Sequence, residues 1–223
     1  MTRITVACLD MAGTTVHDGG LVDWAFAAAL SAAGLPPERM SEAAAHVRRT
    51  MGQPKGVVFA GILSSEREVR TAVAAFDQAV LADVGAGRVT EVDGATATIG
   101  ALREAGVKVC LTTGFTAEVQ EAIVDHLGWK DAVDLVICPG PGIRGRPFPD
   151  LVLASVLRLE IDDVRSVAVA GDTVNDLWSG YRAGAGVVAG VLTGSHGRAE
   201  LEAGPHTHVL DSICQLPGVV LGV

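Results

Sequence analysis

Short apolar runs alternate with amphipathic stretches along most of this chain. Five of these runs end at polar loops and have the length of buried strands. The predicted strands are 4–9, 107–112, 135–138, 166–170 and 187–192. Between the later runs, apolar residues recur at helical spacing. The predicted helices are 94–105, 116–127, 150–159 and 175–183. Strands that alternate with helices indicate an α/β fold with a doubly wound, parallel, Rossmann-like sheet.

A helical block interrupts this alternation directly after the first strand. Val22, Phe26 and Leu30 recur at four-residue steps, and the sequence favours a second helix over 41–50. The capping box Ser65-x-x-Glu68 predicts the start of a longer helix. An all-helical insertion at this point would cover the carboxyl edge of the sheet. The predicted domains are a catalytic core of residues 1–18 and 89–223 and a helical cap of residues 19–88.

Composition and charge limit the classes of binding partner and the cellular compartment that we expect. The net charge of −9 argues against nucleic acid, and no apolar stretch is long enough to predict a membrane span. The four cysteines form no Cys-x-x-Cys pair and are interpreted as buried free thiols. With no export signal before the first strand, we expect a cytoplasmic protein.

Polar residues of defined chemistry follow four of the predicted strands. Because the carboxyl ends of parallel strands share one edge of the sheet, we expect these loops to converge. Each residue alone has an ordinary explanation, such as a helix cap or a turn. Together they offer carboxylates for a divalent cation, hydroxyl and amide donors and a fixed cation, which suits phosphoryl chemistry. The residues are Asp10, Thr113, Gly114, Arg146, Asp172 and Asp176.

In this order, the residues resemble the four motifs of the haloacid dehalogenase superfamily. The first motif reads Asp10-x-Ala-Gly-Thr-Thr, and the last reads Gly171-Asp172-x-x-x-Asp176. The resemblance implies a hydrolase in which Asp10 is the nucleophile and Thr113 and Arg146 act at the phosphoryl group. It also implies Mg²⁺ as cofactor. Asp176 is expected to orient either a bound water or the loop of residues 171–176, which is called the metal loop. The implied metal-site residues are Asp10, Ala12 through its main-chain carbonyl, Asp172 and Asp176.

Three features are similar to the phosphonatase branch of this superfamily. Most members carry an acid two residues after the nucleophile, where this chain has Ala12, and most use Lys where it has Arg146. The segment Met51-Gly52-Gln53-Pro54-Lys55 matches a cap motif whose lysine forms a Schiff base. The resemblance implies hydrolysis of the C–P bond of a 2-oxoalkylphosphonate such as phosphonoacetaldehyde, through a Lys55 imine and an aspartyl phosphate at Asp10.

Elementary chemistry favours the same interpretation. A general acid contributes about 10²–10⁴ in rate, so its replacement by Ala12 is reasonable if the leaving group is not an alkoxide. A carbon leaving group instead needs an electron sink, which a protonated imine at Lys55 supplies. Pro54 suits the first position of a helix. This helix start and the apolar residues after Lys55 disfavour the ammonium form of Lys55. The residues expected to contact the substrate are Gly13, Thr14, Gly114, Met51 and Gly52.

The chain departs from the branch where its members move protons. Val58, Phe115 and Gly20 occupy the positions at which those enzymes have polar side chains. His17, His46 and His126 are candidate replacements, and His17 is nearest to the nucleophile in sequence. The proton carrier and the substituents on the carbonyl therefore stay open.

Two other functions remain compatible with the sequence. The first is a phosphomonoesterase that acts on a small phosphorylated metabolite with the same nucleophile and metal. The second is a binding protein that has lost catalysis, against which the intact set of Asp10, Arg146 and Asp172 argues. In each case we expect a small-molecule ligand, no nucleic acid and no membrane, and the apolar cap helices permit a homodimer.

Overall fold

The computed structural model describes residues 2–17 and 19–222. Its sheet has six parallel strands in the order β3-β2-β1-β4-β5-β6. The strands are β1 (Val6–Asp10), β2 (Lys108–Thr112), β3 (Leu135–Ile137), β4 (Val167–Gly171), β5 (Val187–Val191) and β6 (His208–Leu210). This order reverses direction at β1, so the crevice outside the carboxyl ends of β1 and β4 is the expected ligand site.

Strand β1 lies at the centre because it is apolar on both faces. All five of its residues are buried, as expected for a strand covered by helices on both sides. Val6 pairs with Lys108 on one side and with Val167 on the other, and Asp10 pairs with Thr112. The register therefore brings Asp10 to the carboxyl edge beside the loop that follows β2.

The helices flank this sheet and form a layer at its carboxyl edge. They are α1 (Leu21–Ala32), α2 (Met40–Arg49), α3 (Lys55–Ala60), α4 (Glu66–Gly85), α5 (Ala95–Glu104), α6 (Ala117–His126), α7 (Asp150–Arg158), α8 (Val174–Ala183), α9 (Arg198–Ala203) and α10 (Leu216–Leu221). Three short 3₁₀ turns complete the described elements: Pro37–Arg39, Val164–Ser166 and Ile213–Gln215.

Helices α1 to α4 form the predicted helical insertion. Helix α4 begins with the expected capping box, in which the Ser65 hydroxyl accepts from the Glu68 amide and the Glu68 carboxylate accepts from the Ser65 amide. The rings of Phe26, Phe59 and Phe76 pack together with centroids 4.9–6.4 Å apart. These aromatic contacts join α1, α3 and α4 into one layer.

The α/β fold with a parallel sheet is confirmed, and the predicted element bounds agree within one or two residues. Helices α9 and α10 were not predicted. The domain boundaries stay a prediction. Asp18, at one of these boundaries, and the terminal residues Met1 and Val223 lie outside the described residues.

The cysteines differ in part from the expectation. All four are free, and Cys8 and Cys110 are buried on neighbouring strands. Cys138 is half-buried and Cys214 is exposed, because Cys214 lies in a short 3₁₀ turn at the surface rather than in a strand. Among the helices in residues 2–17 and 19–222, none combines the length and apolarity needed to cross a membrane.

Candidate active site

The first side of the site is the tight turn that follows β1. The amides of Thr14, Thr15 and Val16 all donate to the Met11 carbonyl at 2.8–3.1 Å. The Thr15 hydroxyl donates to the main-chain carbonyl of Asp10 at 2.8 Å. These hydrogen bonds hold the backbone of the turn and so fix the direction in which the Asp10 side chain leaves the sheet.

Gly13 allows the metal loop to approach this turn closely. Its φ is +81°, and a Cβ at this position would lie 2.6 Å from Asp172 Oδ2, so both the conformation and the space require glycine. The Gly13 amide donates to the Val16 carbonyl at 2.8 Å and therefore has no free hydrogen for a substrate. The Thr14 hydroxyl is buried without a hydrogen-bond partner. Gly13 and Thr14 therefore contribute to the shape of the turn and do not line the pocket.

Arg146 connects two acidic side chains. It lies in the loop between β3 and α7, and its guanidinium is 2.5 Å from Asp10 Oδ1 and 2.5 Å from Asp176 Oδ1. Its side chain is 3% exposed. Burial by itself would lower the pKa of Arg146, but Asp10 and Asp176 raise it above the ordinary value. Arg146 therefore stays charged and holds the nucleophile candidate in place.

The loop after β4 carries the other acidic residues. Asp172 Oδ2 accepts from the Ser195 amide at 2.6 Å. Asp176 closes a capping box with Thr173 at the start of α8. One carboxylate oxygen from each of Asp10, Asp172 and Asp176 lies within 4.8 Å of the others. The sequence thus predicted correctly that these three residues, which are far apart along the chain, come together.

The electrostatics of this cluster suit a divalent cation. Burial, followed by the charges of Asp176 and Asp172, raises the pKa of Asp10 well above its usual range even though Arg146 opposes this. Burial and the neighbouring Asp176 raise the pKa of Asp172 to about 6. A single guanidinium does not neutralise three buried carboxylates, and oxygen ligands of this kind are those that Mg²⁺ prefers. The residues therefore fit a bound divalent metal ion.

Lys55 reaches the site from the cap. It is the first residue of α3, after Pro54 as N-cap, and it is 6% exposed. Its Nζ lies 5.1 Å from the ring centroids of Phe26, Phe76 and Phe115. Aromatic faces attract a cation, so these rings favour the ammonium form. The rings therefore oppose the effect predicted from the sequence, in which the helix start and the apolar residues after Lys55 disfavour the ammonium form.

One pocket between cap and core collects most of the predicted residues. It is lined by Asp10, Ala12, Val22, Met51, Gly52, Lys55, Thr113, Gly114, Phe115, Arg146, Asp172, Thr173 and Ser195. The Thr113 hydroxyl accepts from the Phe115 amide at 3.1 Å, which leaves its hydrogen available to the pocket. Gly13, Thr14 and Asp176, which the sequence also suggested, lie outside this lining. The catalytic roles assigned from the sequence stay predictions.

Three residues near the pocket were not assigned a role from the sequence. Thr173 and Ser195 line it, and the Asn175 side chain donates to the Met51 carbonyl at 2.6 Å. Thr173 and Asn175 lie inside the predicted metal loop, so their sequence position was an available signal. Ser195 gave no signal, because it follows β5 in a loop that carries none of the four motifs.

The candidate histidines do not line this pocket. His17 is exposed, and His126 Nε2 lies 3.0 Å from the Val89 carbonyl. His46 is a residue of α2, and its buried Nε2 has no hydrogen-bond partner. At the positions where the phosphonatase branch has polar groups, Val58 is buried and Phe115 contacts Lys55. Ser195 and Thr113 are hydroxyl-bearing residues of the pocket itself.

Fold and site together define a Rossmann-like α/β protein with a buried carboxylate cluster under a helical cap. A family model described as haloacid dehalogenase-like hydrolase matches residues 4–184. The chain belongs to this family of hydrolases.

Sequence similarity to two curated relatives extends over part of the chain. It is 35% identical over 109 residues to a phosphonoacetaldehyde hydrolase of Bacillus cereus (strain B4264), which covers 48% of this chain and 40% of the relative. It is 31% identical over 158 residues to a phosphonoacetaldehyde hydrolase of Parabacteroides distasonis, covering 59% of this chain and 58% of the relative. The chain thus spans about half the length of these curated relatives.

The fold is shared over nearly the whole chain. A phosphonoacetaldehyde hydrolase-like protein from Oleispira antarctica superposes with a TM-score of 0.83 at 21% identity, covering 99% of this chain and 92% of that one.

Proposed function

We propose that this hydrolase cleaves the C–P bond of a 2-oxoalkylphosphonate, such as phosphonoacetaldehyde, through an imine at Lys55 and an aspartyl phosphate at Asp10. The observation that carries the proposal is one pocket that joins a buried lysine from the cap to the Asp10 carboxylate, with Ala12 at the position of the usual acid. The names of the curated relatives support the same substrate class.

The proposed reaction uses each of these groups once. The Lys55 amine adds to the substrate carbonyl and water leaves, which forms a protonated imine. A carboxylate oxygen of Asp10 attacks phosphorus, and the electron pair of the C–P bond moves through carbon to the imine nitrogen to give an enamine. Protonation and hydrolysis then release the carbonyl product and free Lys55, while a second water releases phosphate from Asp10.

The remaining pocket residues bind and orient the phosphonate. Thr113 has a hydroxyl hydrogen to donate, and Arg146 offers a cation that is already held in place. Asp10, the Ala12 carbonyl and Asp172 would hold Mg²⁺, and Asp176 would orient this loop or a bound water. The ion would neutralise negative charge on the phosphoryl group. The three aromatic rings around Lys55 suit a nitrogen that is cationic both as an ammonium and as a protonated imine.

Phosphorus NMR with phosphonoacetaldehyde and Mg²⁺ tests the proposal. Wild-type protein should release inorganic phosphate, and Lys55→Arg, which keeps the charge but forms no imine, should be slower by at least about 10³-fold. Lys130→Arg, at a side chain that is 78% exposed, is the matched control and should behave like wild type. Equal rates for wild type and Lys55→Arg would contradict the proposal.

A phosphomonoesterase is the second candidate, and one observation favours it. The aromatic rings around Lys55 favour an ammonium group, and such a fixed cation would bind a phosphate ester without forming an imine. This function predicts that simple phosphate esters turn over faster than any oxo-phosphonate. It also predicts that Lys55→Arg keeps most of that activity, which separates the two candidates.

A further inference from the structure

The segment 51–54 of the cap contacts the core loops that carry the chemistry. Gly52 adopts φ +85°, and a Cβ there would lie 2.6 Å from Thr173 Oγ1. On the opposite side, a Cβ on Gly114 would lie 2.9 Å from the Gln53 carbonyl oxygen. Glycines on both sides of the contact therefore let the two backbones approach each other.

The same segment also contacts the loop that carries Arg146. A Cβ on Gly145 would overlap the Pro54 ring. The segment is thus packed against the loops after β2, β3 and β4, immediately before Lys55 begins α3. Its position decides where the lysine amine lies relative to Asp10.

Asn175 supplies a polar connection to this segment. Its side-chain amide donates to the Met51 carbonyl at 2.6 Å. The start of α8 is capped by Thr173 and Asp176, so Asn175 is not needed as a cap. It is the only asparagine in the sequence, and it lies next to Asp176 in the metal loop.

We propose that Asn175 is a positioning residue that holds the cap closed over the active site and keeps Lys55 at its place near Asp10. The side-chain amide suits this role because it can donate to a carbonyl without adding charge beside the acidic cluster. The proposal rests on the proposed function only where activity is measured, since the closed contact itself is independent of the substrate.

Chemical labelling of lysine tests this contact without any substrate. The sequence has three lysines, Lys55, Lys108 and Lys130, and the exposed Lys130 serves as an internal standard. Brief acetylation followed by peptide mass spectrometry gives the labelling rate of Lys55 relative to Lys130. Loss of one neutral hydrogen bond should raise this ratio roughly three- to tenfold in Asn175→Ala.

Two further variants make the test specific. Asn175→Asp keeps the shape but places a carboxylate against the Met51 carbonyl, so its ratio should rise more than that of Asn175→Ala. Gln78→Ala removes an exposed amide from the cap helix α4 and should leave the ratio unchanged. An unchanged ratio in both Asn175 variants, with melting temperatures like that of wild type, would overturn the proposal.

Kinetics then separates this proposal from the proposed function. If wild type cleaves an oxo-phosphonate, Asn175→Ala should lower kcat roughly three- to tenfold at an unchanged melting temperature, because the Lys55 amine is then held less precisely against the bound substrate. An unchanged kcat would contradict the positioning role. If wild type cleaves neither oxo-phosphonates nor phosphate esters, the proposed function fails, and the labelling ratio still decides the role of Asn175.

Discussion

Replacing Asp172 with asparagine should stabilise the protein in the absence of metal. Asp172 is a buried carboxylate whose pKa is raised from 3.8 to about 6 by burial and by Asp176. Asparagine has nearly the same shape and keeps an oxygen to accept the Ser195 amide, but it carries no charge. The substitution therefore removes a destabilising charge while retaining the local contacts.

The magnitude follows from the pKa. A folded-state pKa above the unfolded one means that the folded protein binds the proton more tightly, so stability is lost as the pH rises from 3.8 through about 6. At pH 7.5 this loss is about 3 kcal/mol, and at pH 4 it is below about 1 kcal/mol. For a chain of this length, 3 kcal/mol corresponds to roughly 6–12 °C in melting temperature.

Thermal unfolding with a chelator measures this difference. Asp172→Asn should melt above wild type at pH 7.5, and the difference should largely disappear at pH 4. Added Mg²⁺ should raise the melting temperature of wild type more than that of the variant. Asp162→Asn, at an exposed position, should match wild type throughout. An Asp172→Asn variant that melts at or below wild type at pH 7.5 would refute the electrostatic reasoning.

Three further changes test other parts of the site. In Arg146→Lys the lysine ammonium cannot contact Asp10 and Asp176 at the same time, so kcat should fall by about 10²-fold. Phosphorus NMR measures this turnover. Ala12→Asp introduces an acid near the nucleophile and should raise the rate of phosphate ester hydrolysis by roughly 10²-fold. An unchanged rate would contradict the interpretation that Ala12 is suited to a leaving group other than an alkoxide. Phe115→Leu removes a ring over Lys55 and should lower kcat/KM about two- to thirtyfold, whereas Phe148→Leu, at an exposed ring, should not.

The sequence predicted the sheet well because its strands are nearly continuous apolar runs. The run that ends at Asp10 lies buried at the centre of the sheet. Because parallel strands share one carboxyl edge, the sequence correctly predicted that Asp10, Asp172 and Asp176 come together. Helices α9 and α10 escaped prediction because each has six residues, too few for a periodic pattern.

The arrangement around Lys55 could not be predicted from spacing. Phe26, Phe76 and Phe115 each fit a core position, and only the packing of the cap on the core brings their rings around one amine. The same packing pairs Asn175 with a main-chain carbonyl, which has no side-chain identity to read. Gly13 was expected to contact the substrate, but its main-chain amide is used by a hydrogen bond within the turn.

Trapping the imine tests the central claim most directly. In Asp10→Asn the C–P bond should stay intact, so treatment with phosphonoacetaldehyde and borohydride should leave a reduced adduct that still contains phosphorus. Peptide mass mapping should place this adduct on Lys55, with Lys108 and Lys130 unmodified. An adduct on another lysine, or no adduct at saturating substrate, would contradict the account.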